Sequence, residues 1–311
     1  MALLAEYALT PDVLDVTSYS SEEVCTVHLQ GVKDVLLEEG LVRNLRGGDW
    51  ARLFAGDHRP WHRRAKEILK KLATQNRLTT YPAIAAAAPG SDLEWCAEAL
   101  ASHQTAALAG IIASKGVAEG YKAEAIVAAI DRLSTTPWWT GRSPSVRPDR
   151  TVADYRAKLE LVLRYANSIM FIDPHVDPSR PQYKDFSTLV QAAGGRSPAP
   201  LIEVHRVCYH GSGKSRQLLD LGDLEQVFRK ELTAPMKTAG LDVDVFVWDD
   251  FHARYVISDI VGILMENGFD TTTAKVKTTW ARLGRGDRDD VQKEFTVASG
   301  RHALRRKFRI P

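Results

Sequence analysis

The chain has 311 residues, 41 Lys and Arg against 39 Asp and Glu, a formal net charge of +2, and 44% hydrophobic residues. That is length for two domains with ordinary cores, and so slight a basic excess permits nucleic-acid binding through a local patch but does not argue for it globally. No apolar run reaches the roughly 18 residues of a membrane span, no basic segment opens a signal peptide at Met1, and the scattered cysteines Cys25, Cys96 and Cys208 read as reduced thiols of a cytoplasm.

Ser20 and Glu23 have capping-box spacing, and Val24, Val27, His28, Val32, Val35 and Leu36 recur at helical spacing up to about Gly40. A basic helix is expected over Trp61 to Arg77, with Asp57 as N-cap, Pro60 in its first turn and Ile68, Leu69 and Leu72 buried. Its cations are either a solvated face or a phosphate-contacting one. A Pro/Ala linker covers Tyr81 to Gly90, and two further helices are expected from Asp92 to about Ala109 and from Tyr121 to Leu133. Residues 1–135 therefore read as a mainly helical N-terminal domain.

A Pro/Trp/Arg-rich connector follows over residues 136–150. Its Trp138, Trp139 and Arg142 either stack bases and hold phosphates or dock the connector on a core. From Thr151 strands and helices alternate. Val152 to Ala166 is a helix, Ser168 to Asp173 an apolar buried strand, Tyr183 to Ala193 a helix, and Leu201 to Val207 a strand. Gly222 to Ala239 is a helix and Val243 to Trp248 a strand, so 151–311 is expected to be α/β, a mixed sheet flanked by helices. Lys275, Lys277, Arg282 and Arg285, with the basic tail from Arg301 to Arg309, form the candidate nucleic-acid patch.

Three short patterns could hold chemistry. Gly211-Ser212-Gly213-Lys214-Ser215 ends like a phosphate-binding loop, but Cys208 stands where that pattern needs glycine. Asp173-x-His175-x-Asp177 is either a cation site or a stiff turn between Pro174 and Pro178 in which Asp173 caps amides. The third is His252-Ala253-Arg254-Tyr255-Val256-Ile257-Ser258-Asp259, read as a strand with His252 and Arg254 on one face. An imidazole beside a fixed cation suits attack on phosphorus.

The spacing His-x-Arg-x4-Asp resembles the His-x-Lys-x4-Asp signature of the phospholipase D superfamily, with Arg254 in the lysine position. The likeness covers roughly residues 151–270. The superfamily's Gly-Ser pair is absent, and Glu266-Asn267-Gly268 follows instead. The resemblance implies a phospholipase D-like α/β domain and a metal-independent phosphodiesterase with no cofactor. It implies His252 as nucleophile, through a phosphohistidine, with Arg254 and Asp259 completing the motif. Asn267, Asp270 and Glu294 are candidates beside it, the two acids to hold the imidazole.

The reaction needs a second imidazole to protonate the leaving oxygen, and single-motif relatives supply it by pairing two chains. A homodimer acting on nucleic acid, DNA in particular, is therefore expected, and a bacterial antiviral-defence nuclease fits. The alternatives are a non-catalytic phosphate or nucleic-acid binding subunit and a phospholipid hydrolase.

Overall fold

The computed structural model describes residues 3–56, 59–211, 213–271 and 275–311. The chain is α/β and divides into two compact units, Met1–Ser143 and Pro144–Pro311. The boundary falls inside the expected connector, which is no free linker: its first half belongs to one unit and its second half to the other.

The first unit is built on a five-stranded parallel sheet. Its strands are β1 (Ala5–Leu9), β2 (Gly40–Asn44), β3 (Leu78–Thr80), β4 (Gly110–Ala113) and β5 (Val127–Ala129), in the order β3-β2-β1-β4-β5. Helices α1 (Glu22–Glu38), α2 (Leu45–Arg52), α3 (Arg63–Thr74), α4 (Asp92–Thr105), α5 (Lys115–Gly120) and α6 (Pro137–Thr140) accompany it. Helix outweighs strand in this unit, as expected, but the parallel sheet at its centre is absent from the sequence reading. Strands of three to five residues are too short to show a period, and each is buried by its neighbours rather than by its own pattern.

The expected helix over Tyr121 to Leu133 is instead β5 and a 3-10 turn, Ile130–Thr135, because Val127 to Ala129 pair with β4. In α1 the N-cap is Ser21, and Cys25, Leu29, Val32 and Leu36 face the core while Val27 is exposed. Helix α3 starts at Arg63, capped by His62, and Arg77 lies beyond it, donating to the Gly40 and Glu38 carbonyls. The N-cap expected at Asp57 lies outside the described residues.

One buried pair ties this unit together. Arg43 on β2 meets Glu6 on β1 at 2.5 Å, both almost without exposure. The same guanidinium donates to the Ser102 and Ala106 carbonyls at the end of α4, where helix carbonyls lack partners. Glu6 also accepts from the Thr79 hydroxyl on β3.

The second unit carries an eight-stranded mixed sheet. Its elements in chain order are β6 (Ser145–Val146), α7 (Val152–Tyr165), β7 (Ser168–Ile172), α8 (Phe186–Gln191) and β8 (Leu201–Val207). A small hairpin, β9 (Tyr209–His210) and β10 (Gln217–Leu218), precedes α9 (Leu221–Ala239) and β11 (Val243–Trp248). Then come β12 (Tyr255–Ser258), β13 (Gly262–Met265), β14 (Trp280–Arg282), α10 (Arg285–Glu294) and β15 (Leu304–Ile310). The order is β15-β11-β8-β7-β12-β13-β14-β6, with β7, β8 and β11 parallel and the remaining pairings antiparallel.

The core follows from side-chain alternation. His205, Phe246 and Trp248 stack on one face, with centroids 4.8 Å and 6.0 Å from His205, and Phe295 meets them edge-on. His205 is thus a satisfied interior histidine: Trp248 Nε1 donates to its Nδ1, and its Nε2 faces Glu203. On another part of the sheet Phe171, Phe186 and Phe269 form a second aromatic group. The basic tail is not a solvated arm. It is β15, pairing with β11 in antiparallel register, its Arg306, Lys307 and Arg309 held by Glu225 and Asp244.

Replacing Glu6 with Leu strands the buried Arg43 charge. We expect a loss of about 3–5 kcal/mol in chemical denaturation, with part of it restored when Arg43→Met is added.

Candidate functional site

Strand register decides which residues can meet. Tyr255, the first residue of β12, pairs with Ile172, the last of β7, and with Leu264 near the end of β13. Ile172 pairs in turn with His205, two residues before the end of β8, and Val207 with Trp248, the end of β11. The segments after β7, β8, β11 and β13 and the one before β12 therefore share one edge of the sheet. Ligands of open parallel sheets bind beyond such strand ends.

A cleft of about 450 Å³ lies there, lined by His175, Arg180, Gln182, Tyr183, His210, Gly211, Ser215, Arg254, Glu266, Asn267 and Asp270. Behind the lining residues His175, Tyr183 and Arg254 lies the buried carboxylate of Asp173, which touches all three. That group accepts the backbone N–H of His175 at 2.9 Å and of Phe269 at 3.1 Å, and lies 3.4 Å from the Tyr183 hydroxyl. Arg254 Nε stands 3.8 Å away. Burial pushes the Asp173 carboxyl up, against these amides and the guanidinium. Of the two readings of Asp173-x-His175-x-Asp177, the stiff turn is the one the structure has. Asp173 caps amides, Asp177 accepts from Ser179, and the described residues hold no cluster of three or more His, Cys, Asp or Glu able to hold a metal ion.

Gly268 explains the Asn-Gly turn. Its φ is +57°, and a Cβ there would overlap the Asp173 carboxylate and approach Arg254. Arg254 is fixed further by its carbonyl, which accepts from the Met265 amide at 2.9 Å.

His252 and Arg254 stand just before β12, which begins at Tyr255, rather than inside a strand. The two acids Asp249 and Asp250 end β11 early, so the motif's first residues are loop. His252, two residues before the cleft residue Arg254, is exposed, its Nε2 3.4 Å from Arg216 Nη2 and 3.9 Å from Asp250. Asp250 also accepts from the Tyr209 hydroxyl and pairs with Arg216 at 3.0 Å. Burial alone would raise its pKa, but these partners outweigh burial and hold it below the usual carboxylate range. Asp250, beside the motif, is the carboxylate nearest His252, a place the sequence reading gave to Asp270 or Glu294.

The other expected site residues divide. Asn267 and Asp270 line the cleft, Asp270 in an ion pair with Arg150 at 2.5 Å. Asp259 lies at the far end of β12, about 13 Å of strand away, where it accepts the Asn167 amide at 2.9 Å. Glu294 is outside the cleft, paired with His302 at 2.8 Å and Arg301 at 3.2 Å.

Trp138 and Trp139 pack on Tyr7 inside the first unit, and Arg142 lies over Trp139 at 3.9 Å and pairs with Glu39. A Cβ on Gly110 would overlap the Trp138 ring. These contacts accord with the docking reading: Trp139 is buried and Trp138 half-buried. Lys275 and Lys277 are exposed near the loop that joins the cleft, Lys277 pairing with Asp149 at 3.0 Å. Arg282 and Arg285 lie toward the opposite edge, since Arg282 pairs in register with Ile263, so the four do not make one patch.

Sequence reasoning missed Arg180, Tyr183, His210, Arg216 and Asp250 as neighbours. The usable signal was position: each lies shortly after a parallel strand or just before β12. Arg180 Nη2 meets His210 Nε2 at 2.5 Å, so His210 accepts there. His175 differs from it. Its ring nitrogens carry no hydrogen bond among the described residues, and burial with Arg254, Arg206, His210 and His252 nearby pushes its pKa down to about 4. Its unfolded value lies near 6.5, so the stability tied to a neutral His175 is complete above that pH and is lost as pH falls toward 4. A His175→Asn variant should therefore lose less melting temperature than the parent between pH 7.5 and pH 5. Gly268→Ala should lower stability measurably, through its left-handed backbone and the contact with Asp173.

No family model and no curated protein matches the chain. Among solved structures it is similar to TrmBL2, an archaeal chromatin protein whose structure shows a novel mode of DNA binding. The two are 12% identical over 75% of this chain and 78% of that one, at a TM-score of 0.28, a likeness too low to bear on function.

Proposed function

We propose that the protein is a metal-independent phosphodiesterase of the phospholipase D type acting on nucleic acid, DNA in particular. The observation that supports this reading is that Arg254 lines one strand-end cleft with Arg180, His175 and His210, while His252, two residues before Arg254, is exposed beside Arg216 and Asp250. An exposed imidazole two residues from a guanidinium that lines a pocket suits a nucleophile beside a bound phosphodiester.

In this mechanism Arg254 holds a non-bridging phosphate oxygen and takes up charge as phosphorus becomes five-coordinate. His252 attacks phosphorus, and the leaving oxygen departs with a proton. Water then cleaves the phosphorus–nitrogen bond. Asp250 and Arg216 hold the His252 ring. Arginine presents a flat two-toothed fork in the place of lysine's point charge, which changes the grip without removing the cation.

A second reading has one observation behind it. Glu266 and Asp270 line the cleft where a Gly-Ser pair would offer neutral donors, and Arg254 already faces Asp173. That arrangement favours a non-catalytic phosphate grip. Tight DNA binding without turnover would select it.

The test is plasmid cleavage in excess chelator. The parent is expected to cut, and His252→Ala to lose at least about 10²-fold in rate. Arg254→Lys should retain more activity than Arg254→Ala. Equal rates for parent and His252→Ala would remove the nucleophile and the proposal with it.

A further inference from the structure

We infer that His175 is the second imidazole of the reaction, supplied by the same chain as His252. This rests on the phosphodiesterase reading above and replaces the expectation that a second copy of His252 must come from another molecule.

Attack by His252 leaves the departing alkoxide in need of a proton, and the water of the second step in need of a base. The cleft's other candidates are already engaged. His210 Nε2 is taken by Arg180, the Tyr183 hydroxyl faces Asp173, and the Tyr209 hydroxyl donates to Asp250. His205 is sealed in the core. His175 alone among these imidazoles lines the cleft with no hydrogen bond on its ring among the described residues. It is placed with little freedom, because its own N–H is bonded to Asp173 and its ring meets Tyr209 edge-on at 6.4 Å. Through Tyr209 it adjoins Asp250, which faces His252 at 3.9 Å.

A His252 nitrogen bonds to phosphorus, the phosphorus–oxygen bond of the leaving group breaks, and that oxygen takes the proton of His175. An anionic phosphate seated between Arg254 and Arg180, which line the cleft, offsets the charges that otherwise keep the ring neutral. Once the alcohol has left, the neutral His175 takes a proton from water as the water oxygen bonds to phosphorus and the phosphorus–nitrogen bond breaks. The sum is phosphodiester plus water giving phosphomonoester plus alcohol.

The experiment compares parent, His175→Ala and His252→Ala full-length chains on an oligonucleotide and on bis(p-nitrophenyl) phosphate, whose leaving group needs no acid. His175→Ala is expected to lose about 10²–10⁴-fold on the oligonucleotide and much less on the nitrophenyl ester. Loss of the same size on both substrates would mean a structural role only and would overturn the inference. So would full activity of His175→Ala while His252→Ala is dead, which leaves the phosphodiesterase reading standing. An inactive parent, or an active His252→Ala, sinks that reading and this one together. Mixing the two variants should restore nothing, since each site needs both rings in one chain; recovered activity would show a shared site.

Discussion

The site depends on one buried carboxylate. A charge taken out of water is stable only when its lone pairs are filled, and Asp173 fills them from four stretches of chain. The His175 and Phe269 amides, the Tyr183 hydroxyl and Arg254 converge on it from the end of β7, the turn after β13, the segment before α8 and the start of β12. Four stretches distant in sequence are thereby fixed around one point. Gly268 is part of the same constraint, since no side chain fits between that turn and the carboxylate.

Much of the second unit was legible in the sequence. Apolar runs such as Ser168 to Ile172 and Val243 to Trp248 are long enough to be read as buried strands, and their alternation with helices gives the fold class. The first unit's sheet was hidden because β3 and β5 hold three residues each and the Ala-rich stretch before Leu133 has helical composition. Propensity there yields to pairing with β4. The motif was visible, but its geometry was not. Seven residues of spacing place Asp259 at the wrong edge for the cleft, while Asp173 and His175, some eighty positions earlier, come beside Arg254 through strand pairing. Sequence distance and spatial distance separate wherever register sets the neighbours.

Charge tells a similar story. The sequence shows a strongly basic tail and an Arg/Trp connector. The structure pairs Arg306 with Glu225, Lys307 and Arg309 with Asp244, and Arg142 with Glu39. Exposed pairs of this kind contribute little stability, but they do mute local potential. What remains distinctive is not the number of cations but their arrangement around a concave strand-end surface with imidazoles between them.

Arginine at position 254 has a chemical corollary. A guanidinium offers five N–H donors in a flat fork and no acceptor, so residue 254 can grip an oxyanion from two sides but has no lone pair with which to take a proton. The arrangement separates gripping from proton traffic and assigns them to different side chains.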